Sequence, residues 1–592
     1  MLDDVFFSIK RRGTPVSADV LQMLESVVVE QSLTLPDVFI LTFLDEMRVL
    51  LDGPQGFAIG DKIEIGVLVT NAPEPLVVGE VTAVEAEHDG TGTYTVLRGY
   101  DLGHRLQRGR KVRTFINQTY ADVVRRVLGE AGVTAGTIES AGLTTHPLVS
   151  QNNVSDWEFV QGLAKEVGFF AGMREDRFVF AKPTEAGTAP AVGNLRSSGP
   201  LQLALGDELL RFRGVASAVE QVSEVVVRSW DPITKGAVVA TASAAGPTSA
   251  QLDSDIAPQR LAGLFGGATL AQVDIPDHLQ NGADAAAKSL VDEIASASAE
   301  FDGVARGNPR LAAGTAISVG LVGKPFDGRY VLTSARHTYH HVEGYTTAFT
   351  VSGLRDGTLY GLANGGLPIG APPIQGVVVA IVTNNKDPDD LLRVKLKFPW
   401  LADDYESDWA RLVQLGAGAE RGSVVVPEVN DEVLVAFDHG DLRRPYVLGG
   451  VYNGRDRPHL GPGATVVAGD GSVNHRTVAS RTHQTVALID EAGKEGVTVV
   501  TGDGRQELAL KAADRKITVT SEGDIEVTAK AGGKMTMDAT GDIKVASNAN
   551  VTIEAVGNVK VKATGNLALE GAVVNVKATG PLTMSGNPIK LN

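Results

Sequence analysis

From Met535 the chain restarts every eight residues. Met535-Thr-Met-Asp-Ala-Thr-Gly-Asp is followed by Ile543-Lys-Val-Ala-Ser-Asn-Ala-Asn, Val551-Thr-Ile-Glu-Ala-Val-Gly-Asn, Val559-Lys-Val-Lys-Ala-Thr-Gly-Asn and Leu567-Ala-Leu-Glu. Looser copies stand at Val497-Thr-Val, Leu508-Ala-Leu, Ile517-Thr-Val, Ile525-Glu-Val, Val574-Asn-Val, Leu582-Thr-Met and Ile589-Lys-Leu. Each unit is an apolar–polar–apolar step, the alternation of a strand. A small or polar bend follows, where Gly or Asn supplies left-handed backbone. One such strand offers two apolar side chains, too few to close a core, and a fixed short period marks units completed by their neighbours. A coil of one chain encloses almost nothing, whereas three chains wound together make a three-walled prism with those side chains inside. The tail from about residue 497 is therefore predicted to be one third of an intertwined trimeric β-helix. Roughly eleven stacked units give it a length on the order of 50 Å. A single-chain β-solenoid and a disordered Gly/Thr tract are the alternatives, and the regular apolar register argues against disorder. The expected dry core is Ile517/Val519, Ile525/Val527, Met535/Met537, Ile543/Val545, Val551/Ile553, Val559/Val561 and Leu567/Leu569.

At 592 residues there is room for several domains, and the formal charge of −17 argues against partners that need clustered basic charge, nucleic acid or an anionic membrane surface. The absence of cysteine excludes disulfides, thiolate metal sites and cysteine nucleophiles. The N-terminal Met1-Leu-Asp-Asp-Val-Phe-Phe has acids where a secretory leader carries basic residues, and no apolar run is long enough to span a bilayer. Cytoplasmic synthesis without a signal peptide, and no stable membrane insertion, are expected.

Up to about residue 105 the clearest strands are Phe39–Asp45, Lys62–Val69 and Tyr94–Gly99, after a short helical piece at about Ala18–Val27. A helical insert follows. Tyr120–Ala131 puts Val123, Val124, Val127 and Leu128 on one face, and Ser155 is positioned to cap a helix from Asp156 to Glu166 with Phe159, Val160 and Leu163 inward. Phe169–Phe180 has the pattern of a hairpin. A second β-rich region, with one helix near Asp284–Ser298, matches the first: Gly60-x-x-Ile63-x-Ile65-Gly66 aligns with Gly314-x-x-Ile317-x-Val319-Gly320, and strands ending at Gly99 and Gly353 keep the same offset. Two copies of one β-barrel in one chain are expected. Gly and Pro then crowd between Gly361 and Gly376, marking a linker. Five short strands within about 375–455 fit a small barrel of the oligonucleotide/oligosaccharide-binding (OB) type.

Arg393-Val-Lys-Leu-Lys-Phe-Pro-Trp400, Trp409-Ala-Arg411, Val426–Phe437 and Gly440–Gly454 resemble the VgrG-like spike family of contractile injection systems, a fusion of a phage tail hub with the OB and β-helix parts of a tail needle. Gly99-Tyr-Asp-Leu-Gly-His-Arg-Leu, Thr114-Phe and Asp156-Trp-Glu-Phe are similar to the hub part. The resemblance covers nearly the whole chain. It implies a mainly β protein with a first hub barrel (1–105), an α/β insert (106–194), a second hub barrel (195–360), a linker (361–374), an OB-fold (375–455), a neck (456–496) and a triple-stranded β-helix needle (497–592). It also implies a homotrimeric structural spike at the tip of a contractile phage-tail-like particle, cytoplasmic or released. The spike adapts a six-fold tube to a three-fold needle and punctures the target envelope. Implied partners are inner tube or hub ring proteins, other baseplate proteins and a PAAR-type tip protein seated on Pro588, Ile589, Lys590, Leu591 and Asn592. The alternative is a type VI VgrG spike, or a spike carrying cell-wall hydrolase or effector activity. The short interval between OB-fold and needle leaves no space for the lysozyme domain of phage needles.

No catalytic, cofactor or metal residues are assigned. His337-Thr-Tyr-His340-His341 is the one metal-like cluster: on a strand, His337 and His341 share a face and His340 points away. Polar hub surface is the preferred reading. His475 and His483 could gather an ion at a three-fold axis. Asp389/Asp390 and Asp403/Asp404 fall in turn-like stretches, where solvated acids are ordinary.

Overall fold

A computed structural model describes residues 6–52, 55–69, 72–140, 142–191, 199–273, 279–353, 373–460 and 464–590. It divides at Arg457/Pro458 into two units. The linker expected at 361–374 falls largely outside the described residues.

In the first unit, strands β1 (Leu24–Ser32), β2 (Val38–Leu44), β3 (Lys62–Val69), β4 (Ala72–His88) and β5 (Thr93–Asp101) lie in the order β1-β2-β5-β4-β3. The second β region contributes β6 (Leu209–Ala216), β7 (Ala299–Arg306), β8 (Ala316–Gly320), β9 (Gly328–Val331), β10 (Ser334–His340) and β11 (Gly344–Val351). Here the order is β6-β7-β11-β10, with β9 and β8 paired next along the chain. The two paths match strand for strand once β4 is set against β9 plus β10. β4 stays whole through a register shift between Val81 and Ala83, whereas the second copy breaks at Leu332–Thr333. Gly60 and Gly314, which open the matching β3 and β8, both take left-handed backbone, at φ +92° and +76°.

The copies are joined edge to edge. β10 pairs antiparallel with β1, so strands of both regions share one eleven-stranded sheet. Tyr339 and Tyr345 of the second copy pack on Phe7 of the first, with ring centroids 5.0 and 5.6 Å apart. Alternate residues point inward, as strand geometry requires: Val27, Val29, Phe39, Leu41 and Phe43 in the first copy, Phe301, Ile317, Val319 and Phe349 in the second.

The insert carries α1 (Tyr120–Ala131) and α2 (Asp156–Val167). Each begins with a capping box, Thr119 with Asp122 and Ser155 with Glu158, and ends on a left-handed glycine, Gly132 and Gly168. Val123, Val124, Val127 and Leu128 are fully buried against Phe159, Val160, Phe178 and Phe180. A third helix, α3 (Gln280–Ser296), buries Ala283, Ala287, Val291 and Ile294. The helix expected at Ala18–Val27 covers only Ala18–Gln22, because β1 starts at Leu24, where pairing with β2 captures the β-branched run Val27-Val28-Val29.

The second unit opens with an antiparallel meander: β17 (His475–Ala479), β18 (Thr485–Ile489), β19 (Gly496–Val500), β20 (Gln506–Lys511) and β21 (Lys516–Ser521), each paired with the next. These strands run continuously across residue 496, where the neck was expected to give way to the needle. Earlier along the chain, between Val377 and Gly450, lie β12 to β16.

The OB barrel and the octad tail

The OB strands are β12 (Val377–Asn384), β13 (Lys395–Lys397), β14 (Arg411–Leu412), β15 (Glu432–Phe437) and β16 (Pro445–Gly450), ordered β13-β12-β15-β16-β14 with β14 and β16 parallel. The two edges meet through Val394 and Ala410, whose N–H groups each donate to the other's carbonyl at 3.0 and 2.7 Å. The sheet is thus closed on itself, which removes its open edges. Val382, Leu396, Phe398, Val433 and Val435 fill it and are fully buried. Arg393 forks onto Asp387 at 2.6 and 2.9 Å and holds that carboxyl well below the usual range. The neighbouring Asp389 accepts from the same guanidinium at 2.5 Å. Asp403 is fully exposed and 3.6 Å from Lys397. The acid pairs of this domain therefore sit in turns and surface ion pairs.

The octad tail is the opposite case. Among the described residues it forms no helix or strand beyond Ser521, and it bends at 540–541, 548–549, 556–557, 564–565 and 572–573, one bend every eight residues. Among the described residues, no backbone-to-backbone hydrogen bond is made beyond Gly533. Every residue from 522 to 590 is exposed. The expected core side chains Ile525, Val527, Met535, Met537, Ile543, Val545, Val551, Ile553, Val559, Val561, Leu567 and Leu569 range from 53% exposure at Leu567 to 76% at Ile553. Ile517 and Val519 are also exposed, but they lie on the meander. There the strand register lines up Val486, Val499, Leu508 and Val519 in one row and Leu488, Val497, Leu510 and Ile517 in the next. The result is an apolar face two rows wide. Pro588, Ile589 and Lys590 are exposed at the end of the tail, while Leu591 and Asn592 lie outside the described residues.

The His337–His341 cluster is arranged differently from the expectation. His337 turns into the hub core, where Tyr345 Oη lies 2.8 Å and Thr347 Oγ1 3.2 Å from its Nδ1. Burial lowers its pKa to about 4. His340 and His341, at the end of β10, converge instead on Glu25 of β1. His475 and His483 are not brought together within the chain. They stand at opposite ends of the β17–β18 hairpin, His475 near Glu491 at 3.5 Å and His483 stacked on His459.

Sequence reading also missed an acid pair, Asp101 buried and Asp37 half-buried. The Asp37 N–H and the Gly103 N–H donate to the Asp101 carboxylate at 2.8 and 2.7 Å, and burial raises Asp101 to about 7. Burial and the Asp101 charge raise Asp37 well above the usual range, opposed by Arg174. Arg174 reaches from the insert hairpin to the Ala313 carbonyl and fills the space beside Gly314. No local sequence signal flags such a site, because its members are separated by tens to hundreds of residues. Among the described residues, no helix is long and apolar enough to cross a membrane.

Two families match the chain. The one described as the Alg8 N-terminal domain spans residues 6–341, more than half of the sequence. The chain belongs to that family. The type VI secretion system/phage-baseplate injector OB domain matches residues 378–452, the closed barrel described above. The chain is similar to the type VI secretion system spike protein VgrG3 of Vibrio cholerae, 30% identical over 146 residues, which is 22% of this chain and 13% of that protein. It is 33% identical over 99 residues to spike protein VgrG2a of Pseudomonas aeruginosa, 15% of this chain and 12% of that protein. The matches thus span only a small part of those relatives' lengths. Among solved structures, the Francisella PdpA–VgrG complex superposes with a TM-score of 0.52 at 10% identity, covering 87% of this chain and 80% of that one. The architecture is VgrG-like: mainly β, with tail-hub-like β regions and an injector OB domain.

Proposed function

We propose that the chain is a homotrimeric spike that forms the point of a contractile, phage-tail-like injection particle and does mechanical rather than chemical work. The reading is carried by the tail. Its backbone already bends at an eight-residue period, and its apolar pairs all face water in the single chain. Backbone amides and carbonyls in a rigid element need partners, and a long exposed apolar register marks an interaction surface. Two further copies supply both. Each apolar side chain covered is worth about 1.5–3 kcal/mol, and the gain recurs at every octad in all three chains.

The apolar face of the meander is the natural first wall of the same prism, so that closure begins near residue 478 and continues down the octads. A closed prism has no free strand edge and no soft hinge, which suits an element that transmits thrust. The duplicated β regions explain how a three-fold spike could meet a six-fold tube. Three chains with two copies each present six similar surfaces, a symmetry match that a single copy could not give. On this reading the hub half docks on inner tube and baseplate proteins. A small PAAR-type tip protein seats on the end of the needle at Pro588–Lys590 and the residues after it.

The test is the native mass of the purified full chain. A species of three times 62.1 kDa is expected; a monomer at micromolar concentration contradicts the proposal. Capture of the inner tube protein of the same particle by the full chain is the second expected result.

A further inference from the structure

We propose that Glu25, His340 and His341 form a binding site for a divalent transition-metal ion of the zinc type, at the seam joining the two β copies. The site is independent of the assembly role proposed above. β10 lies antiparallel to β1 with His340 opposite Ser26, and the His341 N–H donates to the Glu25 carbonyl at 3.1 Å. That pairing fixes the backbones that carry the three side chains. Glu25 Oε1 then lies 3.4 Å from His340 Nε2 and 2.9 Å from His341 Nδ1. All three donor atoms fall within 4.8 Å of one another.

A tetrahedral zinc ion with bonds of about 2.0–2.1 Å sets its ligand atoms roughly 3.3 Å apart. The carboxylate therefore already stands at ligand separation from both imidazoles. The side chains of Glu25, His340 and His341 are 23%, 38% and 50% exposed, so the ion can enter from solvent and small rotations of the rings can close the set. Two imidazoles and one carboxylate form a recurrent zinc ligand set with a fourth position left for water. Nitrogen-rich donors of this kind favour zinc, nickel or copper over magnesium or calcium.

One contact must yield. The Val342 N–H donates to His340 Nδ1 at 3.3 Å, and a metal on Nε2 turns that nitrogen into a donor. Val342 is exposed, so its N–H can turn to water. His337 takes no part, being held in the core by Tyr345 and Thr347. The ion would clip β1 of one copy to the last turn of the other. Because the unfolded chain does not hold these donors together, binding stabilises the seam.

Calorimetric titration of the full chain with zinc chloride is expected to show one saturable site per chain. E25Q and H341A should each weaken it by at least about tenfold, with the far-ultraviolet dichroism unchanged. H341A alters only an exposed turn, so it keeps the test sharp if E25Q disturbs β1. The stacked pair His459 and His483, with ring centroids 4.1 Å apart, is the rival location. H483A should leave the affinity unchanged. Absence of saturable binding, binding indifferent to E25Q and H341A, or binding lost in H483A would each overturn the proposal.

Discussion

The OB barrel and the octad tail are written in the same alternating pattern and meet opposite fates. In the barrel, Val433 and Val435 alternate with outward neighbours and are fully buried, because the chain returns to join its own edges at Val394 and Ala410. In the tail, Val551 and Ile553 alternate in the same way and stand 57% and 76% exposed. The difference lies in the connections. OB loops are long enough to bring strands back beside one another, whereas a two-residue bend every eight residues only turns the chain onward. Alternation says that a strand has a face to bury; the connection decides whose side chains bury it. The meander lies between these cases: its longer turns let each strand pair with the next, yet Leu508, Leu510, Ile517 and Val519 still face water.

The largest effect is expected from placing charge in the core proposed to be shared by three tails. In the proposed trimer, Ile553→Lys would put three ammonium groups around one axis, each costing several kcal/mol unless paired. The tail should become a protease target around residue 553 while residues 377–450 stay resistant. Equal resistance of the native and substituted tails would erase the contrast between the two regions. Next, Phe398→Ala should cost about 3–5 kcal/mol, because Phe398 is fully buried among Tyr405, Phe437 and Trp400. Amide exchange should quicken throughout the OB strands and leave the tail unchanged, showing that the barrel closes on its own account.

The hub sharpens the comparison through pH. His337 binds a proton below about 4 when folded and below 6.5 when unfolded, so its contribution is full above 6.5 and is lost as pH falls towards 4. Asp101, raised to about 7, acts in the opposite sense in an overlapping window. The clean measurement is therefore a difference. Relative to H337Q, the native chain should lose about 3 kcal/mol of hub stability between pH 6.5 and pH 4, read by denaturant unfolding at each pH. A constant difference would mean that His337 is not held neutral. The smallest effect is expected from Thr119→Ala, which removes the cap of α1. It should cost about 1 kcal/mol, seen as faster amide exchange confined to the insert.

Elements with local punctuation were legible in the sequence. α1 was predicted at Tyr120–Ala131 and is found there, because the Thr119 cap, the Val123/Val124/Val127/Leu128 face and Gly132 all lie within one short stretch. β15, at Glu432–Phe437, falls in the 375–455 stretch where five short strands were expected, and its Val433, Val435 and Phe437 alternate inward. The meander was not separated from the octads, since Leu508-Ala-Leu and Ile517-Thr-Val resemble the strict repeats; only their wider spacing, which permits a hairpin, sets them apart. The Glu25 cluster was hidden twice over. Glu25 lies more than three hundred residues from His340, and it fell within a predicted helix that the structure ends at Gln22. The Asp37–Asp101 pair likewise depends on one backbone segment meeting another, which periodicity does not encode.

Amide exchange in residues 534–590 of the intact chain bears most directly on whether the octads are completed by other copies. These amides have no backbone partner within their own chain, so protection must come from a neighbouring copy. Strong protection along all the octads, lost when associated copies are separated, is expected. Exchange at the rate of an unstructured peptide in a chain whose OB barrel is fully protected would contradict it.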